Sequence, residues 1–137
     1  MAAPNVILDT GPLVGFLDAS DQWHAWSLAR FAELPSPMLT CEAVLSEATY
    51  LLGAGPAADR LFEMIELGAL DIAPLFPHES PMIRAFMKRY SGRAQLADAC
   101  IVRLSELHPL ARVLTSDGED FRVYRRNRRD RIPIIAP

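Results

Sequence analysis

Asn5-Val6-Ile7-Leu8-Asp9-Thr10-Gly11-Pro12-Leu13 reads as a strand that ends in an acid and turns at once toward a helix. Val6, Ile7 and Leu8 are consecutive and apolar, two of them β-branched, as in a short strand buried on both faces. An unpaired carboxylate is costly to bury, so Asp9 belongs at the strand's C-terminal edge. Gly11 and Pro12 break the strand, and proline is tolerated in a first helical turn. Open α/β sheets carry their sites at such strand ends.

The same alternation runs through the chain. Met38-Leu39-Thr40, Leu70–Ala73, Arg112–Thr115 and Ile132–Ile135 read as further strands, the last on an edge because of Pro133. Between them, Leu13–Leu17, the segment up to Glu33, Cys41–Leu52, Pro56–Leu67, the stretch with Met82, Ile83, Phe86 and Met87, and Leu96–Leu107 carry apolar residues at helical spacing. Leu51, Leu67, Leu96 and Leu107 are assigned to the buried stripes. The expectation is a three-layer α/β/α domain with a mostly parallel central sheet of four or five strands, covered on both faces.

At 137 residues, half of them apolar, the chain has the size and core of one domain, read as residues 1–137. Its net charge of −3 hides a split: residues 1–121 sum to −8, whereas residues 122–137 sum to +5. A blunt argument from acidity against nucleic acid therefore fails, because a local basic patch suffices for phosphates. Cys41 and Cys100 lie among apolar neighbours without a CxxC partner and read as reduced core residues. With no signal segment and no run of 18 apolar residues, the expected setting is cytoplasmic, without a membrane. His24 is expected at the surface or an interface, and His78 at the surface.

Four acids stand where packing calls for something else: Asp9 and Asp117 after strands, Glu47 and Asp98 on inward helix faces. Converging at one sheet edge, they would repel one another unless a cation sat among them. With three histidines and no thiol pair, oxygen-only ligation points to Mg²⁺, with Mn²⁺ as a substitute. Each acid also has a plain structural account. Asp9 and Asp98 would cap helices, Glu47 would pair with an arginine, and Asp117 would turn the chain. Asn5, Thr10, Thr115, Ser116 and Asp120 are polar neighbours suited to orient carboxylates or water, or to ordinary turn and cap bonding. Glu42 suits a helix N-terminus.

Asp9-Thr10-Gly11-Pro12-Leu13, Val44-Leu45-Ser46-Glu47-Ala48, Leu96-Ala97-Asp98-Ala99-Cys100 and Leu114-Thr115-Ser116-Asp117-Gly118-Glu119-Asp120-Phe121 together resemble a PIN domain, and the chain from Asn5 onward resembles the toxins of VapBC toxin–antitoxin pairs. The resemblance implies a metal-dependent ribonuclease with a PIN-like, Rossmann-like fold, a homodimer and inhibition by a small antitoxin. By position, Asp9, Glu47, Asp98 and Asp117 match the family's acidic quartet. Many relatives carry a further acid where this chain has Gln95.

The expected activity is Mg²⁺-dependent endonucleolytic hydrolysis of RNA, with Asp9, Asp98 and Asp117 as main ligands and Glu47 ligating or orienting water. Arg122, Arg125, Arg126, Arg128, Arg129 and Arg131 are candidates for a phosphate track, with a solvated surface or an acidic antitoxin segment as the competing accounts. Arg93 is a weaker candidate. Trp23, Trp26, Phe62 and Met82 are candidates for an antitoxin groove. A phosphatase is disfavoured by the lack of Asp-x-Asp after the first strand, and a receiver domain by a lone Lys88 on a helix. A non-catalytic RNA- or protein-binding module of the same fold remains the alternative.

Overall fold

The computed structural model describes residues 3–137. In chain order it runs β1 (Val6–Leu8), α1 (Thr10–Leu17), α2 (His24–Glu33), β2 (Met38–Cys41), α3 (Glu42–Leu52), α4 (Pro56–Glu66), β3 (Leu70–Ala73), α5 (Ser80–Arg89), α6 (Leu96–Leu107), β4 (Arg112–Leu114), α7 (Gly118–Val123), β5 (Arg125–Arg126), β6 (Asp130–Arg131) and β7 (Ile134–Ile135). Five strands form one sheet in the order β3-β2-β1-β4-β7, every pair parallel. Helices cover it as the alternation requires, giving the expected three layers.

Burial explains the composition of the strands. Val6, Ile7 and Leu8 at the centre of the sheet are all buried, and α6, with seven buried residues, lies over β1, β2 and β4. Thr40, a hydroxyl inside this core, is satisfied by donating to Leu8 O at 2.8 Å, which also ties β2 to β1. Pro133 lies beside edge strand β7, where its missing N–H costs no ladder bond, and its carbonyl accepts from Val113 N at 2.8 Å. Cys41 and Cys100 are buried and form no disulfide.

Some expectations are corrected. Leu51, Leu67, Leu96 and Leu107 are exposed, because the buried stripes of their helices are narrower than the run of apolar residues suggests. His24 is half-buried, and its Nδ1 lies 2.7 Å from Gly15 O, joining α2 to α1. Residues 125–131 fold into the antiparallel β5–β6 hairpin, turned by Asn127 and Arg128 at positive φ, with residues 127–131 exposed, as the solvated-surface account has them. Among the described residues no helix is long and apolar enough to cross a membrane.

Candidate active site

In a parallel sheet with helical crossovers, strand C-termini and helix N-termini share one edge. β1 and β4 are neighbours with Leu8 opposite Leu114, so the residues that follow them, Asp9 and Thr115, emerge side by side. Asp9 N donates to Leu114 O at 3.0 Å, and Thr115 Oγ1 donates to Asp9 Oδ2 at 2.7 Å. The same Thr115 oxygen accepts from Asp117 N at 2.9 Å. One buried hydroxyl thus registers the β1 acid against the β4 acid. Gly11 makes the approach possible: a Cβ there would stand 1.9 Å from Ser116 Oγ.

Asp98 arrives from the first turn of α6. Its Oδ2 accepts from Gln95 N at 3.1 Å, half of a capping box, and from Tyr124 Oη at 2.9 Å. Asp117 is the N-cap of α7, with Oδ1 accepting from Asp120 N at 3.0 Å. Asp120 in turn pairs with Arg93 Nη1 at 2.7 Å. Glu47, half-buried on α3, forms no ion pair among the described residues.

The electrostatics link these groups. Burial pushes Asp9 up to about 7, with Asp98 and Glu47 adding repulsion against the lowering effect of Thr115 and the Thr10 backbone N–H. Burial also raises Asp98, offset by the Gln95 N–H and the Tyr124 hydroxyl and reinforced by Asp117. Asp120 is raised by its own desolvation and by Asp117, with Arg93 pulling it down. Burial and the Asp98 charge hold the Tyr124 phenol well above its ordinary range, so it remains a donor.

The plain structural accounts divide. Asp98 and Asp117 do serve helix N-termini. Asp9 occupies the N-cap position of α1, yet its side chain makes no capping bond. Glu47 lacks the expected arginine. Capping therefore explains two of the four acids and leaves the most buried one, Asp9, without that role.

Three of the polar neighbours lie near the acids: Thr115 and Ser116 in the β4–α7 connection, and Asp120 on α7. Thr10 is buried next to Asp9, and its Oγ1 has no hydrogen-bond partner among the described residues. Asn5 is corrected. It is exposed at the N-terminal edge of β1, about 13 Å from Asp9 at the rise of an extended chain.

The arginines divide as well. Arg126 Nη1 bonds Ser105 O at 3.0 Å and Ser105 Oγ at 3.1 Å, so it belongs to the scaffold. Ser105 lies seven residues along α6 from Asp98, about 10 Å away. Arg125 Nη1 is drawn to the carbonyls that end α7, at 2.6 Å from Arg122 O. Their guanidiniums answer the orphaned carbonyls of helix ends rather than solvent. Arg122 folds back over Gly118, beside Asp117. Arg128, Arg129 and Arg131 are exposed on the hairpin. The cation tied most directly to the acids is Arg93.

A family model described as the PIN domain matches residues 6–127. The chain belongs to the PIN domain family. The fold is similar to that of VapC20 from Mycobacterium tuberculosis, a sarcin–ricin loop cleaving toxin, with a TM-score of 0.69 at 19% identity over 79% of this chain and 86% of that one. A comparison with curated proteins finds no match.

For this PIN domain the fit to a divalent cation is mixed. Among the described residues no three His, Cys, Asp or Glu side chains come together closely enough to hold a metal ion, so the expected closed quartet is not formed. Asp9, Asp98 and Asp117 each have an oxygen tied to a donor of the fold. The donor chemistry nevertheless fits: oxygen-only, mutually repelling carboxylates, one of them buried, next to an unpartnered hydroxyl. One residue and one contact escaped the sequence reading. Tyr124 stands among arginines and gives no periodic signal. The close approach behind Gly11 depends on Ser116, 105 residues away in sequence.

Proposed function

We propose that this PIN domain, a single domain over residues 1–137, is a Mg²⁺-dependent endoribonuclease of VapC-like type. Its setting is the cytoplasm, where it acts as a growth-inhibiting toxin held in check by a small antitoxin and works as a homodimer. The observation that carries the reading is Asp9. It is a buried carboxylate raised to about 7, hydrogen-bonded to Thr115, and exposed to the charges of Asp98 and Glu47 at the edge where such sheets place their sites. Family membership and likeness in fold to a ribonucleolytic toxin support it.

In this reading Asp9, Asp98 and Asp117 would hold Mg²⁺, or Mn²⁺ in its place, their carboxylates drawing together around the cation from the wider spacing seen here. A divalent cation supplies Lewis acidity toward a phosphodiester and lowers the pKa of water. The chain's own residues position the reactants. Thr115 keeps Asp9 and Asp117 in register, Gln95 N–H and Tyr124 hold Asp98, and Glu47 orients water beside Asp9. Arg93, half-exposed and steered by Asp120, meets phosphate, and Arg122, folded back over Gly118, adds a second cation on α7. The exposed Arg128 and Arg129 extend the cationic surface along the hairpin, whereas Arg125 and Arg126 serve the fold.

The antitoxin has a candidate seat in an apolar groove of about 530 Å³ walled by Phe16, Leu28, Phe31, Leu34, Met38 and Met64. Its walls are not Trp23, Trp26, Phe62 and Met82.

A second reading, a non-catalytic RNA- or protein-binding module, draws on the lack of a closed trio of ligand side chains among the described residues. Incubation with RNA in Mg²⁺, Mn²⁺ or EDTA separates the two. Cleavage products that disappear with EDTA and in D9N and D98N support the nuclease. Binding without products and without cation dependence supports the module.

A further inference from the structure

We propose that Tyr124 is the positioning residue that holds Asp98 ready for cation binding, an inference that rests on the nuclease reading. Asp98 takes both of its hydrogen bonds on Oδ2, from Gln95 N and from Tyr124 Oη. Oδ1 is thereby left for a ligand. The Gln95 bond is local to the α6 N-terminus and comes with the helix. The Tyr124 bond crosses from the end of α7, 26 residues later, and fixes the carboxylate from outside its own helix.

The phenol is well suited to this task. Tyr124 is fully buried, and its ring is clamped edge-on by Phe86, Tyr90 and Phe121, with centroids at 5.2, 5.1 and 5.4 Å. Among the described residues the Tyr90 hydroxyl bonds no acid; it accepts from Arg125 N at 3.0 Å. Asp117 caps the start of α7 and Tyr124 caps its end. One short helix therefore ties two of the acids to each other: Asp117 directly, and Asp98 through the phenol. A group that orients a ligand carboxylate in this way is typically worth about 10–100-fold in metal affinity or activity.

Two matched hydroxyl deletions test this. Y124F removes the donor to Asp98, while Y90F removes the acceptor of Arg125 N and leaves every acid contact intact. Mn²⁺ affinity is measured by calorimetry without RNA, alongside melting temperature and steady-state RNA cleavage. Both variants are expected to melt a few degrees lower. Y124F alone is expected to bind Mn²⁺ at least tenfold more weakly and to lose kcat with KM for RNA within twofold of the parent. A crystal structure of Y124F gives a readout independent of metal: the Asp98 carboxylate leaves its present orientation. If D98N abolishes Mn²⁺ binding while Y124F binds like the parent, or if Y90F reproduces the loss, the role of Tyr124 is overturned and the nuclease reading stands. If the parent binds Mn²⁺ no better than D98N, the nuclease reading fails and takes this proposal with it.

Discussion

Thr115 Oγ1 donates a 2.7 Å hydrogen bond to Asp9 Oδ2 inside the protein, while accepting from Asp117 N. Thr115→Val keeps the shape and removes both bonds, leaving a buried carboxylate and an amide without their partner. The expected cost is about 1–3 kcal/mol, read by urea denaturation. The cost is larger at pH 8, where Asp9 is ionised, than at pH 5, where a proton replaces the need for a donor. An equal loss at both pH values contradicts this role.

The raised pKa of Asp9 has a defined sign in stability. The folded state holds the proton up to about 7, whereas an unfolded aspartate releases it near 3.8. The stability due to protonated Asp9 is therefore complete below the unfolded value and is lost as pH rises to about 7. Asn at this position is neutral throughout. D9N is expected to gain on the parent by an amount on the order of a few kcal/mol between pH 4 and pH 8, while losing cleavage. Melting temperatures of both proteins across that range check it, and a difference that does not change with pH contradicts it.

Gly11 is held small by Ser116. In most helices alanine is more stable than glycine by about 1 kcal/mol. Here the added methyl meets Ser116 Oγ, and Gly11→Ala is expected to cost about 1–3 kcal/mol through overpacking. Adding Ser116→Gly should recover most of it. A stabilised G11A would mean that the close approach does not constrain the Asp9 and Asp117 loops.

Arg93 and Arg126 are expected to behave oppositely. R93A should weaken RNA binding and reduce the slope of log affinity against log salt by about 0.7, the loss of one phosphate contact to a single strand. R126A should lower stability by about 1–3 kcal/mol through its bonds to Ser105 and leave RNA affinity unchanged. Filter binding across a salt series and denaturation curves separate the two. Weakened RNA binding in R126A, with R93A unaffected, reverses the assignment.

Much of the fold can be read from short apolar runs. Val6–Leu8 and Met38–Thr40 lie on the strands expected of them because burial inside the sheet leaves β-branched and aliphatic residues little alternative, and Leu70–Ala73 lies on edge strand β3, where Leu70 is buried and Asp71 exposed. The acids Asp9 and Asp117 are legible as strand-end residues for the same reason. What sequence does not carry is contact between distant segments. Tyr124 reaches Asp98, and Arg126 turns to Ser105, through tertiary packing that leaves no local pattern. The six C-terminal arginines look alike as a charge run, yet helix-end carbonyls and a serine claim two of them. Asn5 looks like a site residue by its nearness to Asp9 in sequence, but an extended strand carries it to the opposite edge of the sheet.

The central claim is that Asp9, Asp98 and Asp117 form one divalent-cation site at the C-terminal edge of the sheet. Anomalous diffraction from crystals soaked in Mn²⁺ tests it most directly. The account predicts a Mn²⁺ peak within ligating distance of Asp9 and at least one of Asp98 and Asp117, absent from D9N crystals treated alike. Well-diffracting soaked crystals with no Mn²⁺ beside these carboxylates, or with Mn²⁺ bound only elsewhere, would contradict it.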